Sequence, residues 1–310
     1  MVARRPRRAV RCYQTRRAVR CYRSVARSGV TGRFRVGYRR AVPEGHTLRR
    51  LADRHRELFA GQRVHASSPQ GRFAAGATLI DGRRLVDASS HGKHLLHHYS
   101  GDVWLHVHLG LYGKFTDGTG KPPAPVGEVR LRLWTRKHWV DLRGPATCET
   151  LDPLRVDTLL ARLGPDPLRD VEAPAATYTQ ISRSSRALMA LLMDQSVVAG
   201  AGLIYVTEAL YRAGIRPTAP GRRLTPATWA DIWADLRTLM ASGVEEGRID
   251  TVRAGHTPEA MGRAPRVDRH GGEVYVYRRA GQPCLVCGTT VERGELNGRN
   301  AYWCPTCQHP

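Results

Sequence analysis

"CLVCGTTVERGELNGRNAYWCPTC", residues 284–307, sets two Cys-x2-Cys pairs sixteen residues apart. Four thiolates at that spacing can stand on two facing turns and close a tetrahedron around Zn²⁺, the intervening residues folding back as a hairpin. A site built from Cys284, Cys287, Cys304 and Cys307 is structural, because four protein ligands leave no open position for a substrate. The other cysteines do not join it. Cys12 and Cys21 lie near the N-terminus, and Cys148 stands alone and reads as a small buried hydrophobe. An odd, clustered count behind a charged N-terminus with no apolar signal segment favours a reducing compartment and a metal site over a disulfide framework. Arg299 projects from the same hairpin. Taken alone it is a solvated charge, and in a basic protein a phosphate contact competes with that reading.

Upstream, "DQSVVAGAGLIYVTEALYRAGIRP" (194–217) places Gly200 and Gly202 in a tight turn that opens onto a helix from Leu203. Backbone N–H groups of such a turn can face a phosphate. A Gly-x-Gly before a helix is equally the mark of a close-packed helix junction. The segments around it, "SRSSRALMALLMDQ" and "TPATWADIWADLRTLMASGVEEG", are helical, with Thr225 and Pro226 as N-cap and first helical residue and Gly243 or Gly247 as stops. "LGPDPL" (163–168) reads as a Pro-bearing hinge, and residues 248–280 as a polar, Gly/Pro-rich linker or loop.

Residues 62–143 differ in character. "TLIDGRRLVDASS", "KHLLHHYS", "DVWLHVHLGLYGKF", "EVRLRLWT" and "HWVDL" are short, β-rich and divided by Gly, Pro and Asp, the pattern of an antiparallel sandwich or barrel. His106 and His108 alternate with apolar residues and share a face. They read as a structural or solvated pair, since no third ligand has suitable spacing. Ahead of the sheet, Leu48, Leu51, Ala52, His55 and Leu58 recur at helical spacing from Glu44 to about Phe59.

Residues 1–42 are unlike the rest. "RRAVRCY" occurs at 7–13 and again at 16–22, and "RRAV" returns at 39–42. With no acid and few large apolar residues, the segment cannot bury enough surface to offset its ordering entropy, and reads as a disordered basic extension. Of the formal net charge of +22, fourteen come from arginines in this segment, which leaves +8 for residues 43–310. That excess favours a polyanion as partner, nucleic acid ahead of a membrane surface. No apolar run approaches the length of a bilayer span.

Five motifs in order, "PEGHTLRR", "HGKHLL", "HLGLYGKF", "DQSVVAGAGLIYVTEAL" and "GRNAYWCPTCQ", resemble the formamidopyrimidine-DNA glycosylase and endonuclease VIII family across 43–310 and not within 1–42. The resemblance implies an α+β multidomain chain. It has an N-terminal β-sandwich with a flanking helix (43–165), a helix–two-turns–helix domain (166–280) and a C-terminal zinc-finger hairpin (281–310). It implies one structural Zn²⁺, a monomer, a cytoplasmic, nucleoid-associated location, and double-stranded DNA with a damaged base or an abasic site held between the lobes. It also implies base excision followed by β,δ-elimination at the abasic site, run by the amine of an N-terminal proline.

The matching proline is Pro43. Its secondary amine, if free, attacks the sugar C1′, expels the base and leaves an iminium whose acidified 2′ protons permit elimination. Inside Ala41-Val42-Pro43 the same nitrogen is a tertiary amide and no nucleophile. Val42 stands where the family has the initiator Met, and a GTG start codon reads as Val within a longer frame. The expectation is therefore translation from codon 42 and loss of the initiator, with residues 1–42 a start-site artefact. Proteolytic activation, a noncatalytic relative, and a genuine basic arm binding nucleic acid are the alternatives. By resemblance Glu44 is the acid that assists ring opening, Lys93 holds a phosphate near the lesion, and Leu111 and Tyr112 fill the space the flipped base leaves. Read without the resemblance, these are a helix-terminal carboxylate, a solvated lysine and ordinary core. Arg143 matches one member of an Arg–Phe wedge pair whose Phe is missing, which with "PEGHT" tilts the reading toward endonuclease VIII and oxidised pyrimidines. Leu203 replaces a family Asn and removes one side-chain phosphate contact.

Overall fold

The computed structural model describes residues 43–267 and 272–309, all within one unit, Gly37–Pro310. The expectations for residues 1–42 lie outside the described residues. Helix α1 (Gly45–Phe59) forms where the periodicity places it and buries Leu48, Leu51, Ala52, His55 and Leu58 along one face. Then follow β1 (Arg63–Ser67), α2 (Ala74–Ile80), β2 (Arg83–His91), β3 (His94–Tyr99), β4 (Val103–His108), β5 (Lys114–Thr119), β6 (Val129–Trp134), β7 (His138–Arg143) and β8 (Thr147–Leu151). Two details depart from the sequence reading. Thr78, Leu79 and Ile80 end a helix instead of opening a strand, because Phe73, Ala77 and Ile80 turn one apolar edge to the core. The sheet also continues past residue 143, with β8 pairing on the edge of β4.

The strands form one antiparallel sheet in the order β5-β7-β6-β1-β2-β3-β4-β8. Strand β1 pairs with β2 only at Arg63↔Arg84 and Val64↔Arg83, then with β6 from His65↔Trp134 onward. The sheet turns a corner there, and its halves face each other as a sandwich. Leu85, Leu95, Tyr99, Leu105 and Val107 of one half share a core with Phe115, Leu131, Leu133, Val140 and Leu142 of the other and with α1 and α2. Burying each Leu, Val or Phe stabilises the fold by roughly 1.5–3 kcal/mol over leaving it exposed. Three polar side chains sit inside this core and satisfy one another: His55 Nδ1 lies 3.0 Å from His97 Nε2, and His97 Nδ1 lies 3.3 Å from Tyr99 Oη.

Helix α3 (Pro153–Ala161), capped by the Asp152 carboxylate accepting from Arg155 N–H, covers Leu96 and Leu151 with Val156 and Leu159. The second lobe comprises α4 (Ala175–Ser182), α5 (Leu188–Leu192), α6 (Leu203–Arg212), α7 (Pro226–Glu246), α8 (Pro258–Met261) and the hairpin β9 (Glu292–Leu296)–β10 (Arg299–Trp303). Its core runs from Leu192, Leu210, Trp233 and Met240 into Val291, Ala301 and Tyr302, so the helices and the cysteine hairpin are packed as one body. Helix α7 starts as expected, Thr225 Oγ1 accepting from Thr228 N–H, and stops at Gly247 with φ 71°. Gly243 is not a stop. It lies inside the helix where Tyr205 Oη and the His46 ring approach too closely for any side chain. Residues 248–280 are more than a linker: the buried Glu208 carboxylate accepts from the N–H groups of Tyr275, Val276 and Tyr277 at 2.7, 2.9 and 2.8 Å. Among the described residues no helix is long and apolar enough to cross a membrane.

Candidate active site

Three backbones meet at glycines where the lobes touch. Gly45 N–H, at the start of α1, donates to Gly200 O at 2.9 Å, and a Cβ on Gly45 would lie 2.8 Å from Gly200 Cα. Gly92, at φ +56°, turns β2 into β3 against Ala199 and Gly200. Its N–H donates to the buried Asp166 Oδ2 at 2.8 Å. A Cβ on Gly202 would fall 2.6 Å from Glu44 Cδ and 2.7 Å from Lys93 Nζ. Only hydrogen fits at that position, and its absence of a side chain is what lets the carboxyl and the amine both lie against the Gly202 backbone.

Glu44 is fully buried, directly after Pro43. Its Oε2 accepts from Gly202 N–H and its Oε1 from Ile204 N–H, each at 2.9 Å, at the N-terminus of α6. Burial pushes the Glu44 pKa up, against the Lys93 ammonium and the α6 amides, which pull it down. Burial pushes the Lys93 pKa down, opposed by Glu44 and reinforced by Arg299. A carboxyl and an amine thus sit side by side, each displaced toward its neutral form by loss of water.

Pro43, Glu44, Lys93, Gly200 and Gly202 are therefore gathered into one place. Two expectations change. Gly200 N–H donates to Gln195 Oε1 at 2.9 Å and Gly202 N–H to Glu44, so these amides, read as a phosphate cradle, are used inside the protein. A buried carboxylate needs donors, and the α6 terminus supplies them. Arg143, read as a DNA contact, donates to Val126 O, Thr116 Oγ1 and Asp141 Oδ2 at 3.0, 2.9 and 3.0 Å. Its guanidinium is largely committed to the sandwich. Leu111 and Tyr112 are 69% and 84% exposed, not core, and Tyr112 O lies 3.3 Å from where a Cβ on Gly144 would be. Arg299 is exposed on β10, with Nη1 3.6 Å from Met193 Sδ. Asp166 escaped the sequence reading. Its only signal is an acid between the two prolines of "LGPDPL", yet it accepts from both Gly92 and Leu168 N–H and pins the Lys93 turn to the second lobe.

The four hairpin cysteines converge, with all four Sγ atoms within 4.8 Å of one another. The Cys284–Cys307 and Cys287–Cys304 Sγ pairs are 3.8 and 3.4 Å apart. A tetrahedron with bonds of about 2.3 Å has edges of about 3.8 Å, so the donor set fits Zn²⁺. The histidines fare differently. His106 does have neighbours beyond His108, because β3 and β8 flank β4. His94 Nδ1 lies 2.8 Å from His106 Nε2, and His106 Nδ1 lies 3.0 Å from Glu149 Oε1. The rings bond to one another instead of converging on a point, and among the described residues only the cysteines cluster as metal ligands.

Three family models match the chain: "Formamidopyrimidine-DNA glycosylase N-terminal domain" over 25–148, "Formamidopyrimidine-DNA glycosylase H2TH domain" over 163–254, and "Zinc finger found in FPG and IleRS" over 281–310. The first reaches ahead of Pro43, further than the sequence motifs do. "Endonuclease 8 1" of Mycobacterium tuberculosis is 47% identical over 274 residues, covering 86% of this chain and 100% of that protein. The formamidopyrimidine-DNA glycosylase of Parasynechococcus marenigrum is 35% identical over 284 residues, covering 86% and 99%. The fold matches that of the Lactococcus lactis formamidopyrimidine-DNA glycosylase bound to DNA containing an abasic site, with TM-score 0.70, 20% identity, and coverage of 86% and 100%.

Proposed function

Because the chain belongs to the formamidopyrimidine-DNA glycosylase and endonuclease VIII family, we propose that it excises oxidised bases from double-stranded DNA and cleaves the abasic strand through an imine on Pro43. The observation that carries this reading is the pairing of Glu44 and Lys93 on the α6 terminus, immediately after Pro43. With its nitrogen free, at a pKa of roughly 8, Pro43 keeps a useful fraction unprotonated at pH 7. It attacks C1′ as the base departs, Glu44 delivers a proton to the opening sugar, and Lys93 holds the adjoining phosphate. The exposed Leu111 and Tyr112 fill the space of the extruded nucleotide, and Arg299 meets the backbone from the hairpin. Identity to an endonuclease 8 over all of that relative's length supports oxidised pyrimidines as the lesion class. The protein acts as a monomer of three parts, 43–165, 166–280 and 281–310, in the compartment that holds the chromosome.

A chain beginning at Pro43 is expected to be trapped on abasic DNA by borohydride and to release oxidised pyrimidines. Binding without either reaction would overturn the reading. A second reading, a noncatalytic zinc-finger DNA-binding protein with residues 1–42 retained, draws on the family match that begins at residue 25. It predicts salt-dependent binding that weakens on deletion of 1–42, and no nicking.

Cys284, Cys287, Cys304 and Cys307 would hold one Zn²⁺, whose contribution is a cross-link between the hairpin turns. Zinc-finger peptides gain about 10–16 kcal/mol from their metal, and here Val291, Ala301 and Tyr302 tie the hairpin to the helical core. Cys287→Ser is expected to reduce zinc from about one to near zero per chain, weaken DNA binding at least about tenfold and lower the Tm. Unchanged zinc content, read by metal analysis of the purified protein, would refute the assignment.

A further inference from the structure

The chain contains four lysines, of which Lys114, Lys121 and Lys137 are exposed on the sandwich and only Lys93 stands beside Glu44. In the 310-residue chain the Pro43 nitrogen is acylated by Val42 and has no lone pair to give. Lys93 Nζ is then the amine left beside Glu44, on a half-buried side chain. We propose that Lys93 is a second imine-forming nucleophile, which gives the 310-residue chain an abasic-site lyase activity that needs no free Pro43. The inference rests on the reading that the Pro43–Glu44–Lys93 site receives an abasic site.

The geometry supplies what the reaction requires. The aldehyde form of an abasic site has no base to expel, so a primary amine suffices where intact nucleosides demand more. Lys93 Nζ adds to C1′, and the carbinolamine loses its hydroxyl as water, taking a proton from Glu44, to leave an iminium. The Glu44 carboxylate, placed beside the amine by the vacant Gly202 position, then takes a 2′ proton. The electron pair forms the 2′,3′ double bond, and the 3′ C–O bond breaks with the phosphate leaving. Water hydrolyses the imine and returns the amine. Burial and Arg299 both hold the Lys93 pKa below its ordinary value, which enlarges the share of free amine. Lysine at this position therefore yields strand scission without base excision.

Borohydride trapping of the full 310-residue chain on abasic duplex, followed by peptide mapping of the adduct, tests the assignment. The adduct is expected on Lys93, and Lys93→Arg, which keeps the charge and cannot form an imine, is expected to cut trapping at least about tenfold. The chain that begins at Pro43 serves as the parallel arm, with its adduct on Pro43. An adduct elsewhere, or none from the 310-residue chain while the Pro43-started chain is trapped, would overturn the proposal and leave the family reading standing. No adduct from either would overturn that reading instead. DNA affinity of Lys93→Arg, measured alongside, separates lost chemistry from lost binding.

Discussion

Glu44→Gln in a chain that begins at Pro43 is expected to lower base excision by about 10²- to 10⁴-fold, the range a positioned acid–base group contributes. The reason is geometric as well as chemical. Two carboxylate oxygens accept from two amides, Gly202 and Ile204 N–H. An amide side chain offers one oxygen and one NH₂, so one backbone N–H would face a donor in a buried site, at a cost of about 1–3 kcal/mol. The variant therefore loses the proton and also loosens the contact that seats α1 against α6. Single-turnover excision on an oxidised-pyrimidine duplex and the Tm, measured together, separate the two effects. A rate within about threefold of the parent would deny Glu44 a role in the chemistry.

The second large effect concerns acid. His46, His55 and His97 are buried and held neutral: burial lowers His46 to about 3 and His97 to about 4, and lowers His55 well below its ordinary value. Each has a folded pKa below the unfolded value, so the unfolded chain binds protons first as pH falls. The stability that neutrality confers is whole above about pH 6.5 and drains away below it. By pH 5 the loss is about 2 kcal/mol for an imidazole such as His46, with His55 and His97 adding in the same direction, against a total stability of about 5–15 kcal/mol. Glu44 and Asp166, with pKa values raised by burial, work in the opposite direction because the fold takes up their protons early. Cooperative unfolding between about pH 5 and 4, with net uptake of protons, is the expected outcome. Circular dichroism and tryptophan fluorescence unchanged to pH 4 would show that these imidazoles titrate in place.

Helix α1 and the zinc cysteines were legible because each is a local pattern. Apolar residues three and four apart make a face wherever the helix later docks, and two Cys-x2-Cys pairs need only a hairpin between them. Strands were legible where β-rich runs alternated with turn residues. Thr78–Ile80 escapes the sequence because a threonine and two apolar residues carry no period, and the core that takes Ile80 together with Ala77 decided for a helix. The function of Asp166 was invisible. Its partner amide, Gly92, lies 74 residues away, and no spacing rule spans that distance.

The sequence by itself determined helix α1, the N-terminal cap of α7, the family motifs and the four-thiolate set, since these depend on residues near one another along the chain. Tertiary structure alone decided what the glycine turn before α6 is for. Its amides could face a phosphate or a buried carboxylate with equal local geometry, and the choice belongs to whichever acceptor is brought there without water. Docking of α1 brings Glu44, and a buried charge claims the donors before any ligand arrives.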